Sequence, residues 1–297
     1  MPIFRVEHSS HYHYPGEVGL NYGEARLLPR DTPGQTVLDR RLELNPRVDD
    51  QHQRDDPWGN RVAWFCLRQP HRELTVTAVS RIARRRPGGS PGEPVAWESV
   101  ADTLAGPAPT EPERQGDWLA ARECRLASPL VPLIPRARDY VSSSFPPDRP
   151  LDEALADLCA RIQADYRYQP YATGIDTPIS EVLEKRHGVC QDFAHLALAG
   201  LRGLGLAARY VSGYLETTPP EGQPRLEGAD ASHAWIAVWH PDGRWLDFDP
   251  TNGSPTGEGH LTLAWGRDYA DVAPLKGVIV GGGSHRLEVG VTVTREP

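Results

Sequence analysis

Cys190, His233 and Asp249 lie far apart along the chain, yet their types and order supply a thiol nucleophile, a base and an orienter of that base. Cys190 follows Gly188-Val189 and opens the run Phe193-Ala194-His195-Leu196, so it falls where a loop becomes an apolar helix. A free thiol has a pKa of about 8.5, and a helix N-terminus lowers it to roughly 3.5–7.5, especially beside an imidazolium. The backbone N–H of a first-turn residue has no intrahelical acceptor and can face an oxyanion forming on an attacked carbonyl. A second oxyanion donor is also needed, and Tyr166, Tyr168 and Gln169 are the candidates.

The base and orienter can be tested by hairpin geometry. Pro241-Asp242-Gly243 between two alternating apolar runs fits a three-residue hairpin closed by a glycine in the left-handed conformation. With His240 opposite Arg244, His233 faces Thr251 and Asp249 faces Trp235. His233 and Asp249 are then diagonal neighbours on one face. A one-residue slip would put them on opposite faces.

Each residue also has a plainer role to weigh. A lone buried cysteine is usually inert packing, and this is the reading for Cys159, on the apolar face of a helix. His233 beside Ala234-Trp235 has the setting of a packed strand histidine, and Asp249-Pro250 that of a turn former. These plain readings weaken when all three residues must be explained together. His187, Cys190 and His195 suggest a zinc cluster, but His195 lies well into the helix and a suitably spaced fourth ligand is missing, so no metal and no cofactor is assigned. Asp192 reads as a helix-start acid favoured by the dipole. Trp235, Trp239 and Trp245 read as core or cleft wall.

These residues need elements to hold them. The first part of the chain alternates in Phe4–His8, Val37–Leu44, Arg61–Cys66 and Glu73–Val79, with turn chemistry at Asp56-Pro57-Trp58-Gly59-Asn60. Residues 1–85 are expected to form an antiparallel β-sandwich. Residues 86–115 are rich in Pro and Gly and read as a linker. Residues 116–297 read as a catalytic domain with helices near 118–127, from Leu151, over 179–184 and from Cys190, followed by an antiparallel meander. The Gly at 188 suits a left-handed helix end. The loop from Thr217 to Asp230 is placed at a substrate cleft, and the strand in Leu287–Val293 has no assigned sheet. The fold class is therefore α+β.

At 297 residues and 39% hydrophobic content the chain can bury a sizeable core. A net charge of -8 argues against nucleic-acid binding, since phosphate contact needs concentrated Lys and Arg. With only Lys185 and Lys276, the chain is a poor cross-linking substrate itself. Its four cysteines lack paired spacing, which fits reduced thiols, and no apolar window approaches the roughly 18 residues of a membrane span. A cytoplasmic location with no membrane partner is expected.

Gly188-Val189-Cys190-Gln191-Asp192-Phe193-Ala194-His195, Ser232-His233-Ala234-Trp235 and Asp249-Pro250-Thr251-Asn252-Gly253 together resemble the transglutaminase-like superfamily, papain-like enzymes with the order Cys, His, Asp. Leu27-Leu28-Pro29-Arg30 and Asp56-Pro57-Trp58-Gly59-Asn60 are similar to the β domain preceding this core in a bacterial subgroup. The resemblance implies a papain-like core, with Cys190 as nucleophile, His233 as general base and acid, and Asp249 as orienter. It further implies acyl transfer on a peptide or protein substrate, with hydrolysis of a peptide or isopeptide bond expected first. Transamidation to an amine and a non-catalytic binding module are the alternatives. The EF-hand type of acidic loop is not seen.

Overall fold

The computed structural model describes residues 1–85, 93–217 and 231–296. The chain begins with β1 (Ile3–Leu28), β2 (Gln35–Asn45), β3 (Asp50–Asp55), β4 (Arg61–Leu67) and β5 (His71–Arg84). Four helices follow: α1 (Trp97–Ala105), α2 (Pro112–Glu123), α3 (Pro135–Ser142) and α4 (Leu151–Asp165). Then come β6 (Arg167–Tyr168), α5 (Ile179–Lys185), β7 (His187–Gly188), α6 (Cys190–Gly203), β8 (Ala208–Leu215), β9 (Ala231–Trp239) and β10 (Trp245–Asp249). The chain closes with β11 (Ser254–Pro255), β12 (His260–Gly266), α7 (Tyr269–Val272), β13 (Leu275–Gly281) and β14 (Arg286–Arg295). It is an α+β fold with two large antiparallel sheets.

The sandwich expected at the amino terminus is made by one continuous sheet. Its order is β2-β5-β1-β4-β3, with β13 and β14 also on β1. The register of β1 against β5 shifts between His13 and Val18, where Pro15 lacks the N–H a ladder needs. Before the shift β1 pairs with β5 and β14; beyond it β1 pairs with β4 and β13. The two halves share a core of Tyr14, Val18, Leu27, Phe65, Leu67, Leu74 and Val76. The unassigned carboxy-terminal strand therefore belongs to this first sheet.

The stretch read as a linker contains α1, whose Val100 and Leu104 are fully buried in the main hydrophobic core, and it ends in the first turn of α2. Two buried side chains between Pro/Gly-rich flanks gave too little periodicity to announce the helix. Where the pattern is fuller, expectation and structure agree. Leu151, Ala154, Leu155, Leu158, Cys159 and Ile162 of α4 are all buried.

The second sheet runs β11-β10-β9-β8-β12. Helix α6 covers one face, meeting Tyr210, Ala234, Ile236, Val238 and Phe248. The amino-terminal sheet joins along β8 and β12, where Phe4, Val6, Ile82, Val291 and Val293 pack on Tyr214, Leu261 and Leu263. Two side-chain amides sew the units together. Gln35 both donates to and accepts from the Thr262 backbone (2.7 and 2.9 Å), and Asn60 does the same with Trp265 (2.8 and 2.9 Å). Among the described residues, no helix is long and apolar enough to cross a membrane.

Helix α6 is held from behind by α3 at Gly200, where an added Cβ would lie 2.1 Å from Val141 Cγ2 and 2.7 Å from the Ala137 carbonyl oxygen. Gly200→Ala is expected to cost about 1–3 kcal/mol of stability through overpacking. Urea unfolding should show this as a lowered midpoint with the same slope.

Candidate active site

Cys190 is the first residue of α6 and is partly buried. The turn before it differs from expectation. The left-handed residue ending α5 is Arg186 (φ 52°), while Gly188 pairs with Tyr168 in a short parallel bridge. What Gly188 provides is room, since a Cβ there would lie 2.7 Å from Asp192 Oδ2. That oxygen accepts the Val189 N–H at 2.7 Å and the Thr173 hydroxyl at 2.6 Å. Asp192 thus caps the helix. Burial raises its pKa against the opposing pull of these hydrogen bonds.

The hairpin has the anticipated register. Trp245 faces Trp239, Asp247 faces Ala237 and Phe248 faces Ile236. Gly243 is left-handed at φ 88°, and His240 N–H donates to the Arg244 carbonyl at 2.8 Å. His233 and Asp249 consequently meet, with Nε2 donating to Oδ2 at 2.7 Å. With Nε2 committed to Asp249, Nδ1 is the nitrogen left for the Cys190 thiol, whose side chain acts on the ring. Burial alone would lower the pKa of His233. The hydrogen bonds and charges of Asp249 and Cys190 outweigh it and raise the value to about 10.

Asp249 has no exposed surface. Its Oδ1 accepts the N–H groups of Thr251 (2.9 Å) and Asn252 (3.2 Å). Its Oδ2 accepts Asn252 Nδ2 (2.5 Å), His233 Nε2 (2.7 Å) and a residue that sequence reasoning missed, His260, through Nε2 at 3.0 Å. Burial would raise its pKa, but the hydrogen bonds and the charge of His233 hold it well below the ordinary carboxylate range. His260 opens β12 outside any recognisable motif. The period-two pattern of His260-Leu261-Thr262-Leu263-Ala264-Trp265 fits a strand, one not among those assigned from sequence, and it carries no sign of a site.

The zinc grouping considered from sequence does not assemble. Helix α6 turns His195 into the core, where its Nε2 accepts the Tyr269 N–H (3.2 Å) and burial lowers its pKa to about 4. His233, Asp249 and His260 do converge, with ligand-type atoms within 4.8 Å of one another. His260 Nδ1 accepts the Gly257 N–H, however, so its Nε2 carries a proton toward Asp249 Oδ2 and offers no lone pair there.

Of the oxyanion candidates, Gln169 spends its backbone N–H on the Gly188 carbonyl (2.9 Å), and Tyr166 is buried against Tyr140 and Phe193. Tyr168 is half exposed. Burial, followed by the Cys190 charge, raises its pKa. Residues 218–230, which hold most of the loop placed at the cleft, lie outside the described residues.

Comparison with known proteins finds matches over both parts of the chain. The model of the bacterial transglutaminase-like N-terminal region matches residues 4–83, and that of the transglutaminase-like superfamily matches residues 139–250. An uncharacterized protein of Mycobacterium tuberculosis is 42% identical over 290 residues, spanning 93% of this chain and 87% of its own. A protein-glutamine gamma-glutamyltransferase of Pseudomonas aeruginosa is 33% identical over 122 residues, 39% of this chain and 18% of its own. A crystal structure from Cytophaga hutchinsonii, described as a candidate cysteine protease, superposes with a TM-score of 0.73 at 18% identity, covering 99% of this chain and 90% of that one. It shares the fold.

Because folding raises the pKa of His233, its pairing stabilises the fold fully below about pH 6.5. The contribution is lost as pH rises through about 10. Asp249→Asn keeps the shape and removes the charge, so the His233 midpoint followed by NMR is expected to fall toward about 6.5. A midpoint that stays put would exonerate Asp249 as the source of the shift.

Proposed function

Because the chain belongs to the transglutaminase-like superfamily, we propose that it hydrolyses amide bonds of peptide or protein substrates through a thioacyl intermediate on Cys190. The observation that carries this reading is the buried relay from the Cys190 thiol through His233 to Asp249. His233 holds the thiol proton as an imidazolium beside the thiolate, and the sulfur attacks the carbonyl carbon. The oxyanion faces the first-turn N–H of Cys190, and the Tyr168 hydroxyl is the second donor. The imidazolium gives its proton to the leaving amine as the C–N bond breaks. Water then loses a proton to His233 and attacks the thioester, and collapse expels the thiolate and a carboxylic acid product. Asp249 stays ionised throughout and holds the imidazole in the tautomer these transfers need.

A second reading, transfer to an amine instead of water, draws support from the Pseudomonas aeruginosa relative named as a glutamyltransferase. The intermediate is the same in both. The proposal includes a reducing, cytoplasmic setting, in keeping with four free cysteines of which Cys66, Cys124 and Cys159 are buried.

Cys190→Ala is expected to abolish turnover of extract-derived peptides and labelling by a thiol-reactive probe; retained turnover would sink the mechanism. In ¹⁸O-labelled water the acid product should carry one label. Incorporation of a labelled amine in its place would establish the second reading.

A further inference from the structure

We propose that His260 is a positioning residue of this site: it donates to the Asp249 oxygen used by His233, fixing the carboxylate's direction and dividing its charge between two imidazoles. The inference rests on reading Cys190, His233 and Asp249 as a triad.

The tautomer of His260 follows from its contacts. Nδ1 accepts the Gly257 N–H at 3.0 Å, so the ring proton is on Nε2, and Nε2 donates to Asp249 Oδ2 at 3.0 Å. The ring is fixed by packing as well, standing edge-on to Trp235 with centroids 5.4 Å apart at 89°. Trp235 is in turn tied by its Nε1–H to Asp247 Oδ1 at 3.0 Å. The turn that carries Gly257 is anchored to the first sheet: Arg295 of β14 reaches Glu258 (3.2 Å) and Glu216 (2.8 Å).

A neutral donor on a shared oxygen draws off part of the negative charge that would otherwise act on His233. His260 therefore restrains how strongly Asp249 holds the imidazolium, which must give up its proton to the leaving amine in every cycle. The other titratable or charged groups facing this pair are Cys190 of α6, Cys159 of α4 and Asp247 of β10, with Arg209 of β8 and Arg84 of β5 beyond Asp247. None of these donates to Oδ2; besides His233, that oxygen accepts from His260 and from the amide of Asn252, and the His260 variants leave Asn252 in place, so they read the histidine's own share.

The test uses the full chain and needs no natural substrate. Iodoacetamide alkylation of Cys190, in which the thiolate sulfur displaces iodide and His233 keeps the thiol proton, is followed by mass. The His233 midpoint is read by NMR. His260→Phe keeps the ring against Trp235 and removes the donor; His260→Gln restores a donor. His260→Phe is expected to raise the His233 midpoint by about half a pH unit or more, and His260→Gln to return it to the wild-type value. An unmoved midpoint in His260→Phe, or an equal shift in both variants, overturns the proposal. If His260→Phe fails to fold, Gly257→Pro decides. It removes the N–H that fixes the tautomer and is expected to shift the midpoint upward by a smaller amount; no shift overturns the inference. The triad reading fails separately, if wild type and His233→Ala alkylate at the same rate.

Discussion

The carboxylate of Asp249 is ionised and wholly enclosed, and a charge in that position is tolerable only when its lone pairs are filled. Five donors fill them. They come from β9, from β12 and from the turn after β10, so the requirement ties together segments that the sheet order keeps apart. Strands β10 and β12 are separated by β9 and β8. Side chains from the two can meet only where little stands above the strands between. Gly213 of β8 supplies the gap, since a Cβ there would be 2.3 Å from the Trp235 ring. The indole lies over this bare backbone and reaches His260.

The face of the sheet opposite α6 is also where the amino-terminal unit docks. There Arg209 lies between the rings of Trp245 (4.0 Å) and Trp265 (3.7 Å), and Arg30 stacks on Trp265 at 3.3 Å. Burial brings the pKa of Arg209 down to about 9, against the opposing charge of Asp247. The aromatic faces compensate part of the lost hydration. Arg30 and Asn60, from the amino-terminal unit, thereby reach the strand that begins with His260. The β domain is continuous with the support of the site.

The meeting of His233 with Asp249 and the place of Cys190 at a helix start were legible because their logic is local. A three-residue turn sets the hairpin register, parity decides which residues share a face, and a glycine before an apolar run marks a helix start. His260 was illegible because its role depends on a non-adjacent strand and on a turn N–H, neither of which leaves a sequence pattern. The same holds for the folded-over first sheet. Alternation in β1 announced strands but could not tell two sheets from one bent at Pro15. Helix α1 hid behind composition, with only Val100 and Leu104 fully buried and Trp97 and Ala101 partly so. At residues 186–188, a rule about glycine pointed to the wrong position. Arg186 takes the left-handed turn, and Gly188 is small because Asp192 lies against it.

The pairing of β14 with the first half of β1 has a consequence for biogenesis. Phe4 lies opposite Arg295, and the Glu296 N–H reaches the Ile3 carbonyl at 2.8 Å. β1 is synthesised before β14, and that partner emerges only after the whole intervening core has been made. Until then the edge of β1 is open, and the turn bearing Gly257 lacks its anchor at Arg295. The turn beside His260 is thus anchored by a strand that follows the whole core in sequence, so its support is completed only once β14 has been made.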